Sequence, residues 1–115
     1  MSRVEIYHNP RCSKSRQTLE LIKAQGIDPI ITQYLKNVPT SDQLKAILKA
    51  LNMEAHQLLR SKEAEYKTHN LSKESSQEDI ISAMLASPNL IERPIVINNN
   101  CARIGRPPES VLDIL

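Results

Sequence analysis

The sequence has no tryptophan and no phenylalanine, and three tyrosines are its only aromatic residues. An aromatic cage for a ligand, or a platform on which nucleic-acid bases stack, is therefore not available. Apolar residues make up 40% of the chain, which suffices for a core, and without Phe or Trp that core must be aliphatic. Because 115 residues lie in the usual range of one domain, we expect residues 1–115 to form a single domain.

Long apolar runs and an excess of one charge are also absent. The N-terminal stretch MSRVEIY lacks the apolar segment of a signal peptide, and no run approaches the roughly 18 residues that cross a bilayer. Fifteen basic and thirteen acidic residues are interspersed and give a net charge of +2. This balance argues against nucleic acid or a membrane as the main partner, so we expect a soluble, cytoplasmic protein.

Cysteine is scarce as well, since Cys12 and Cys101 are the only two in the chain. Two distant cysteines do not make a disulfide framework, and no CxxC or HxxxH spacing indicates a zinc site. His56 and His69 lack partners at ligand spacing and are expected at the surface. Cys101 is interpreted as a small residue of a β-strand, although a redox role for it stays open.

The chain begins with the pattern of a β-α-β unit. Alternating apolar residues predict a strand over 3–7, and a helix fits residues 13–25, with Gly26 in the usual stop position. The β-branched run over 29–35 predicts a second strand.

The middle of the chain is predicted to be helical. Thr40 and Gln43 form a capping box before a helix of regular apolar spacing, and a shorter helical segment follows it. Residues 61–77 are polar and are predicted as a loop. Ser75 with Glu78 then indicates the start of a further helix.

The end of the chain predicts a β-β-α unit. Residues 93–98 and 101–105 are expected to pair as a hairpin across the NNN turn, and a closing helix should bury Val111, Leu112 and Leu115. The complete order predicts an α/β protein with a four-stranded mixed sheet and a helical insertion between its β-α-β and β-β-α halves. This order resembles the thioredoxin fold.

Cys12 lies at the start of the predicted first helix. A free thiol is only about 3% ionised at pH 7, so a nucleophilic role requires a lowered pKa. The helix amides and the nearby Arg11, Lys14 and Arg16 favour a thiolate, and the same amide-rich turn suits an oxyanion. The alternative is a buried, inert Cys12 beside solvated cations.

The residue three positions after this cysteine is Ser15, so the motif is CxxS and not CxxC. Ser15 can hydrogen-bond a thiolate, but it can equally act as a helix cap. His8 lies nearby in the preceding loop. Because Cys12 has no resolving cysteine in the motif, a disulfide on it must be resolved by another molecule or a distant cysteine, and glutathione becomes the expected partner.

Four motifs together resemble those of the glutaredoxin-dependent arsenate reductase family: HNPRCSKSR, LLR at 58–60, ERPIV at 92–96 and RIGRPPE at 103–109. They occur in the family's order through essentially the whole chain, which looks like the short chromosomal subgroup. The resemblance implies that Cys12 is the nucleophile and that His8 and Ser15 lie beside it.

The resemblance also assigns Arg60, Arg93 and Arg106 to the substrate oxyanion, although each could instead form a surface ion pair. It implies that the Cys12 thiolate attacks arsenate, that glutathione then attacks the adduct, and that glutaredoxin resolves the resulting mixed disulfide. No metal or bound organic cofactor is implied. Pro94 resembles the cis-proline that thioredoxin-like folds place before their third strand; an ordinary trans proline is the alternative.

Two other functions are compatible with the sequence. Regulators related to Spx use the same fold to bind RNA polymerase, and some carry a CxxC switch, which Ser15 disrupts here. A monothiol glutaredoxin-like oxidoreductase would act on glutathione adducts of proteins and would need Cys12 but not Arg106.

Overall fold

The computed structural model describes residues 4–115, and the chain divides into two compact units. The first unit combines the residues up to Asn37 with Arg93–Leu115, and the second unit is Val38–Glu92. Arg3, the first residue of the predicted N-terminal strand, lies outside the described residues. The second unit coincides with the predicted helical insertion, while the single domain stays a prediction.

The first unit is built on a four-stranded sheet. Its strands are β1 Val4–Tyr7, β2 Ile30–Thr32, β3 Ile95–Asn98 and β4 Cys101–Ile104, in the order β2-β1-β3-β4. β1 pairs in parallel with β2 and antiparallel with β3, and β3 pairs antiparallel with β4. The predicted mixed sheet and its thioredoxin-like topology are thus confirmed.

Helix α1, Ser13–Ala24, connects β1 to β2 and packs one face on the core of this unit. The chain leaves the helix at Gly26, whose φ of +77° is a left-handed conformation that suits glycine. Ile22 is fully buried, and it joins an aliphatic cluster on the sheet and the C-terminal segment that also contains Val4, Ile6, Val96 and Val111. The expectation of an aliphatic core was incomplete, because Tyr7 and Tyr34 are buried too.

Two predicted elements of the first unit differ in the structure. The second strand ends at Thr32 and not at residue 35, because the chain turns there and the amides of Lys36 and Asn37 donate to the carbonyl of Gln33. The closing helix is a 3-10 helix, Pro108–Ile114.

That helix type explains why the prediction for Leu112 was wrong. In a 3-10 helix, residues three apart lie on the same side. Val111 and Ile114 therefore face the core together, whereas Leu112 is 40% exposed. Leu115 is half-buried.

The second unit is helical. It contains α2 Ser41–Leu51, α3 Ala55–Leu58, α4 Ala64–Thr68, α5 Gln77–Ala86 and a 3-10 turn, Pro88–Leu90. The predicted capping box of α2 is confirmed. The backbone amide of Gln43 donates to Thr40 Oγ1 at 3.1 Å, and Gln43 Oε1 accepts from the backbone amide of Thr40 at 2.9 Å. Apolar residues of α2, α3 and α5 form the interior of this unit.

Two predictions for this unit were wrong in detail. Helix α4 lies inside the segment predicted as a loop, and it has no buried residue, so it carries no apolar stripe that a sequence pattern could reveal. The cap of α5 is Ser76, whose hydroxyl accepts from the Asp79 amide, while the Ser75 hydroxyl accepts from the Ser72 amide. Within residues 4–115, no helix has the length and apolar character needed to span a membrane.

Candidate active site

Cys12 is the N-cap residue of α1, in the turn that leads from β1 into the helix. Its backbone is extended, its amide donates to the carbonyl of Asn9 at 3.0 Å, and its own carbonyl accepts from the Arg16 amide. The side chain is half-buried. Because the first amides of a helix have no partner within the helix, the sulfur lies where unpaired N–H groups converge.

The surroundings of Cys12 favour its thiolate. Burial raises the pKa of the thiol, but hydrogen bonds from the backbone amides of Ser15 and Lys14 and from the side chain of Arg93 lower it by more. The pKa of Cys12 therefore lies below the usual value of a thiol. A thiolate at a helix start, held by amides and a guanidinium, is the usual form of a reactive cysteine.

Two arginines that are distant in sequence meet at this sulfur. Arg106 Nη2 donates to Cys12 Sγ at 3.6 Å, although the residues lie 94 positions apart. The Nε of the same guanidinium donates to the carbonyl oxygen of Arg93 at 2.7 Å. Since the side chain of Arg93 also hydrogen-bonds the sulfur, the three residues form one connected cluster.

Arg93 and Arg106 each precede a proline, and both peptide bonds, Arg93-Pro94 and Arg106-Pro107, are cis. The cis form at Pro94 agrees with the family resemblance. Nothing in the sequence pointed to the second cis bond.

Close packing at Gly105 sets the position of Arg106. The Gly105 amide donates to the carbonyl of Pro94 at 2.9 Å. A side chain at this position would collide with Thr18 Oγ1 and lie 2.8 Å from Pro94 Cγ. The end of β4 therefore lies directly against α1 and Pro94, which brings the next residue, Arg106, to the start of the helix.

His8 and Ser15 form a buried pair beneath the cysteine loop. His8 Nδ1 and Ser15 Oγ are 2.6 Å apart, and the same hydroxyl accepts from the Asn9 amide at 3.0 Å. The expected role of Ser15 is thereby changed: its hydroxyl bonds the loop, whereas its backbone amide bonds the Cys12 sulfur. Burial, together with the charges of Arg16 and Lys23, lowers the pKa of His8, so its imidazole is neutral at pH 7.

The cations adjacent to Cys12 in sequence act differently from the expectation. Arg16 Nη1 donates to the carbonyl of Pro10 at 2.9 Å, and Arg11 is exposed. Lys14 contributes its backbone amide, and the guanidinium that lowers the pKa of the thiol is that of Arg93.

Tyr34 is a residue at this site that the sequence did not reveal. Its side chain is 1% exposed, and it interacts with the Arg93 guanidinium. Burial lowers the pKa of Arg93, but Tyr34 and Cys12 raise it by more. In the sequence, Tyr34 was part of an ordinary β-branched and aromatic run, which gave no signal of a role.

Arg60 belongs to the second unit, where carboxylates surround it. Its amide donates to the carbonyl of Leu90 at 2.8 Å, Nη2 lies 3.5 Å from Glu63, and Nη1 lies 3.9 Å from Glu92. The ion pair considered from the sequence is therefore present. The assignment of Arg60 to an oxyanion stays a prediction.

The remaining candidates from the sequence are Cys101, His56 and His69. Cys101 is exposed on β4. His56 is exposed and bonds the carbonyl of Ser75, whereas His69 is half-buried and bonds the Ser87 hydroxyl at 2.9 Å. No group of three or more His, Cys, Asp or Glu residues suited to a metal ion occurs in the part of the chain that the structure describes.

Comparisons with known proteins found relatives that match nearly the whole chain. The chain is 52% identical over 114 residues to the uncharacterized protein YfgD of Escherichia coli K12, with 97% of this chain and 96% of the relative covered. It is 48% identical to an arsenate reductase of Haemophilus influenzae, with coverage of 97% and 98%. The solved structure of an arsenate reductase from Vibrio cholerae matches with a TM-score of 0.94 and 48% identity, covering 98% of each chain.

The model of the ArsC family matches residues 7–114. That range contains the cysteine loop at the start of α1 and both arginines that reach it. The family model matches nearly the whole chain, and two relatives are 52% and 48% identical to it over 96% and 98% of their own length. This protein therefore belongs to the ArsC family.

Proposed function

We propose that this protein reduces arsenate to arsenite, with Cys12 as the nucleophile, glutathione as co-substrate and glutaredoxin as the partner that resolves the mixed disulfide. The observation that carries the proposal is the meeting of Arg93 and Arg106 at the Cys12 sulfur, where the first amides of α1 converge. The family match and the likeness to arsenate reductases of Haemophilus influenzae and Vibrio cholerae support arsenate as the substrate.

The charges around Cys12 suit an anionic substrate. Arsenate carries about two negative charges near neutral pH, and an anionic thiolate repels it unless fixed cations neutralise the site. Guanidinium groups do so with directional N–H donors, and helix amides add unpaired donors at the same place. The contacts that stabilise the thiolate are thus the same kind of contacts that an oxyanion needs.

The proposed reaction proceeds through a covalent adduct. The thiolate of Cys12 attacks arsenic, an S–As bond forms, and one oxygen leaves as water after protonation. The thiolate of glutathione then attacks the Cys12 sulfur, so that an S–S bond forms and the S–As electron pair stays on arsenic. Arsenite leaves, and Cys12 remains as a mixed disulfide with glutathione, which glutaredoxin reduces.

His8 and Ser15 have a supporting role in this proposal. Ser15 Oγ bonds both His8 Nδ1 and the Asn9 amide, and these contacts fix the loop that carries Cys12. Arg60 is proposed as a further guanidinium for the oxyanion, on the strength of the family resemblance. Glutathione supplies the electrons, so no bound cofactor or metal is needed, and the cytoplasm, where reduced glutathione is abundant, is the proposed location.

The direct test is arsenite formation by the purified protein with glutathione and glutaredoxin. We expect arsenite from the wild type and from Cys101→Ser, and none from Cys12→Ser. Absence of product from folded protein with reduced Cys12 would refute the assignment. Reduction of a glutathionylated peptide without arsenate, unaffected by Arg106→Ala, would instead favour the glutaredoxin-like function. Retention of RNA polymerase, with no thermal shift by arsenate, would favour an Spx-like regulator.

A further inference from the structure

The turn that leads into α1 is organised around Asn9. Its backbone carbonyl accepts from the Cys12 amide at 3.0 Å, and its side-chain Oδ1 accepts from the Arg11 amide at 3.0 Å. Pro10, which lies between Asn9 and Arg11, has no N–H to donate. Both amides that the turn presents before the helix therefore bond to the same residue.

A third bond joins Asn9 to the helix itself. The Asn9 amide donates to Ser15 Oγ at 3.0 Å, and Ser15 is fully buried in the first turn of α1. Asn9 is 7% exposed, although asparagine is mostly found at protein surfaces. A polar side chain is costly to bury unless it is hydrogen-bonded, and the bond that Oδ1 accepts from the Arg11 amide offsets this cost. Asn9 is thus tied to the chain on both sides of Cys12.

The position of the Cys12 sulfur depends on this turn. A single side-chain torsion separates Sγ from the backbone, so the backbone conformation of Cys12 determines where the sulfur can lie. That backbone is extended, with a φ of −94° and a ψ of 124°, and its amide is one of the two held by Asn9. In this conformation the sulfur lies 3.6 Å from Arg106 Nη2.

We propose that Asn9 is a positioning residue, which holds the entry turn of α1 so that the Cys12 sulfur stays within reach of the Arg106 guanidinium. The proposal rests on the function proposed above only for its consequence in catalysis. Aspartate forms the same type of turn, but its negative charge would lie close to the thiolate and disfavour it. Asparagine supplies the acceptor without that charge.

The test measures Cys12 directly and needs no arsenate. In a Cys101→Ser background, the rate of Cys12 alkylation by iodoacetamide is followed against pH for wild type and Asn9→Ala. We expect Asn9→Ala to shift the profile to higher pH and to slow alkylation at pH 7 roughly two- to tenfold, which corresponds to the loss of one hydrogen bond. An unchanged profile in folded Asn9→Ala would overturn the proposal.

Ser72→Ala, in the same background, is the matched control. Ser72 Oγ accepts from the Glu74 amide at 3.1 Å, so this side chain also bonds the amide of the second residue after it, but in the second unit. Its removal should leave the alkylation profile unchanged. Equal shifts from Ser72→Ala and Asn9→Ala would overturn the proposal, because general loosening of the fold would then explain the change at the thiol.

A double-mutant comparison asks whether Asn9 acts through Arg106. In an Arg106→Ala background the sulfur has lost that donor, so Asn9→Ala should shift the alkylation profile less than it does when Arg106 is present. Equal shifts in the two backgrounds would overturn the proposal, because the turn would then affect the thiol independently of the guanidinium.

A measurement on the unaltered protein covers the case in which Asn9→Ala does not fold. Arg11 is exposed, yet its amide donates to Asn9 Oδ1 and should exchange with deuterium more slowly than the amide of Lys73. Lys73 is also exposed and lies in a turn that the Ser75 amide closes onto the Ser72 carbonyl. Equal exchange, after correction for the intrinsic rates, would contradict the bond to Asn9. If the expected results hold but no arsenite forms, the positioning role stands and the proposed substrate falls.

Discussion

Arg106 Nε donates to the carbonyl oxygen of Arg93 at 2.7 Å, and this bond turns Nη2 of the same guanidinium toward the Cys12 sulfur, 3.6 Å away. One arginine thus uses the backbone of another as its support. Because Arg93 also bonds the sulfur through its side chain, the effects of replacing the two arginines should not be additive.

Replacement of Arg106 tests whether catalysis depends on the geometry of the guanidinium N–H donors and not on the positive charge alone. We expect Arg106→Ala to lower kcat/KM for arsenite formation by about 10²-fold or more, the usual effect of removing a donor to a developing charge. Arg106→Lys should recover only part of the loss, since lysine cannot bond the Arg93 carbonyl and the sulfur in the same fixed geometry. Steady-state kinetics give the comparison.

Arg103→Ala is the matched control for that series. Arg103 is exposed on β4, the strand that ends shortly before Arg106, and its Nη1 donates to the carbonyl of Ala102. Arg103→Ala changes the net charge by the same amount as Arg106→Ala and should leave kcat/KM within about twofold of wild type. An equal loss in both alanine variants would point to net charge alone.

The ionisation of Cys12 should make stability depend on pH. Burial raises the pKa of this thiol, but the amides and Arg93 lower it by more, so the folded pKa lies below that of the unfolded chain. Between the two values, the unfolded chain binds a proton that the folded protein does not. This contribution is fully present above the ordinary pKa of about 8.5 and is lost as the pH falls through the folded pKa.

Urea unfolding of the wild type and of Cys12→Ser, both in a Cys101→Ser background, measures that contribution. The difference in unfolding free energy between the two should increase as the pH rises across this window and level off above it. A difference that is constant with pH would mean that the fold does not favour the thiolate.

Gly105→Ala should affect both stability and the site. Its methyl group would collide with Thr18 Oγ1 and lie 2.8 Å from Pro94 Cγ, and overpacking of this kind costs about 1 to 3 kcal/mol of unfolding free energy. The displaced strand end should also move Arg106 and raise the pKa of Cys12. Urea unfolding measures the loss of stability, and the pH dependence of Cys12 alkylation by iodoacetamide measures the change in its pKa.

Gly26→Ala provides the control for this substitution. Gly26 has a φ of +77° but open space around it, so alanine there should lower stability through backbone strain alone. We expect no change at Cys12. Thr18→Ala added to Gly105→Ala should restore part of the stability, and no recovery would argue against the collision.

If Arg60 binds the oxyanion as proposed, Glu63→Gln should strengthen that binding. Glu63 lies 3.5 Å from Arg60 Nη2 and would compete with the substrate for that guanidinium. Pairs of this kind contribute about 0.2 to 1 kcal/mol, which corresponds to an increase in arsenate affinity of up to about fivefold. Calorimetric titration with arsenate measures it. Glu74→Gln makes the same charge change at an exposed position, and an equal gain there would refute competition at Arg60.

Much of the first unit was predictable because its signals are local. Alternating apolar residues predicted β1, and an apolar helix face followed by Gly26 predicted α1. Two segments on either side of the NNN turn predicted β3 and β4. The capping box at Thr40 and Gln43 was visible for the same reason. Helix α4, which buries none of its residues, left no such pattern.

The sequence by itself determined that Cys12 stands at a helix start, since strand, turn and helix there follow from neighbouring residues. It did not determine which cations reach the sulfur. Arg11 and Arg16 are close in sequence, yet Arg93 and Arg106 make the contacts. Sheet pairing, the tight packing of Gly105 and the carbonyl of Arg93 decide which cations reach the sulfur. They bring together residues that are far apart in the sequence, and neighbouring residues alone do not indicate such contacts.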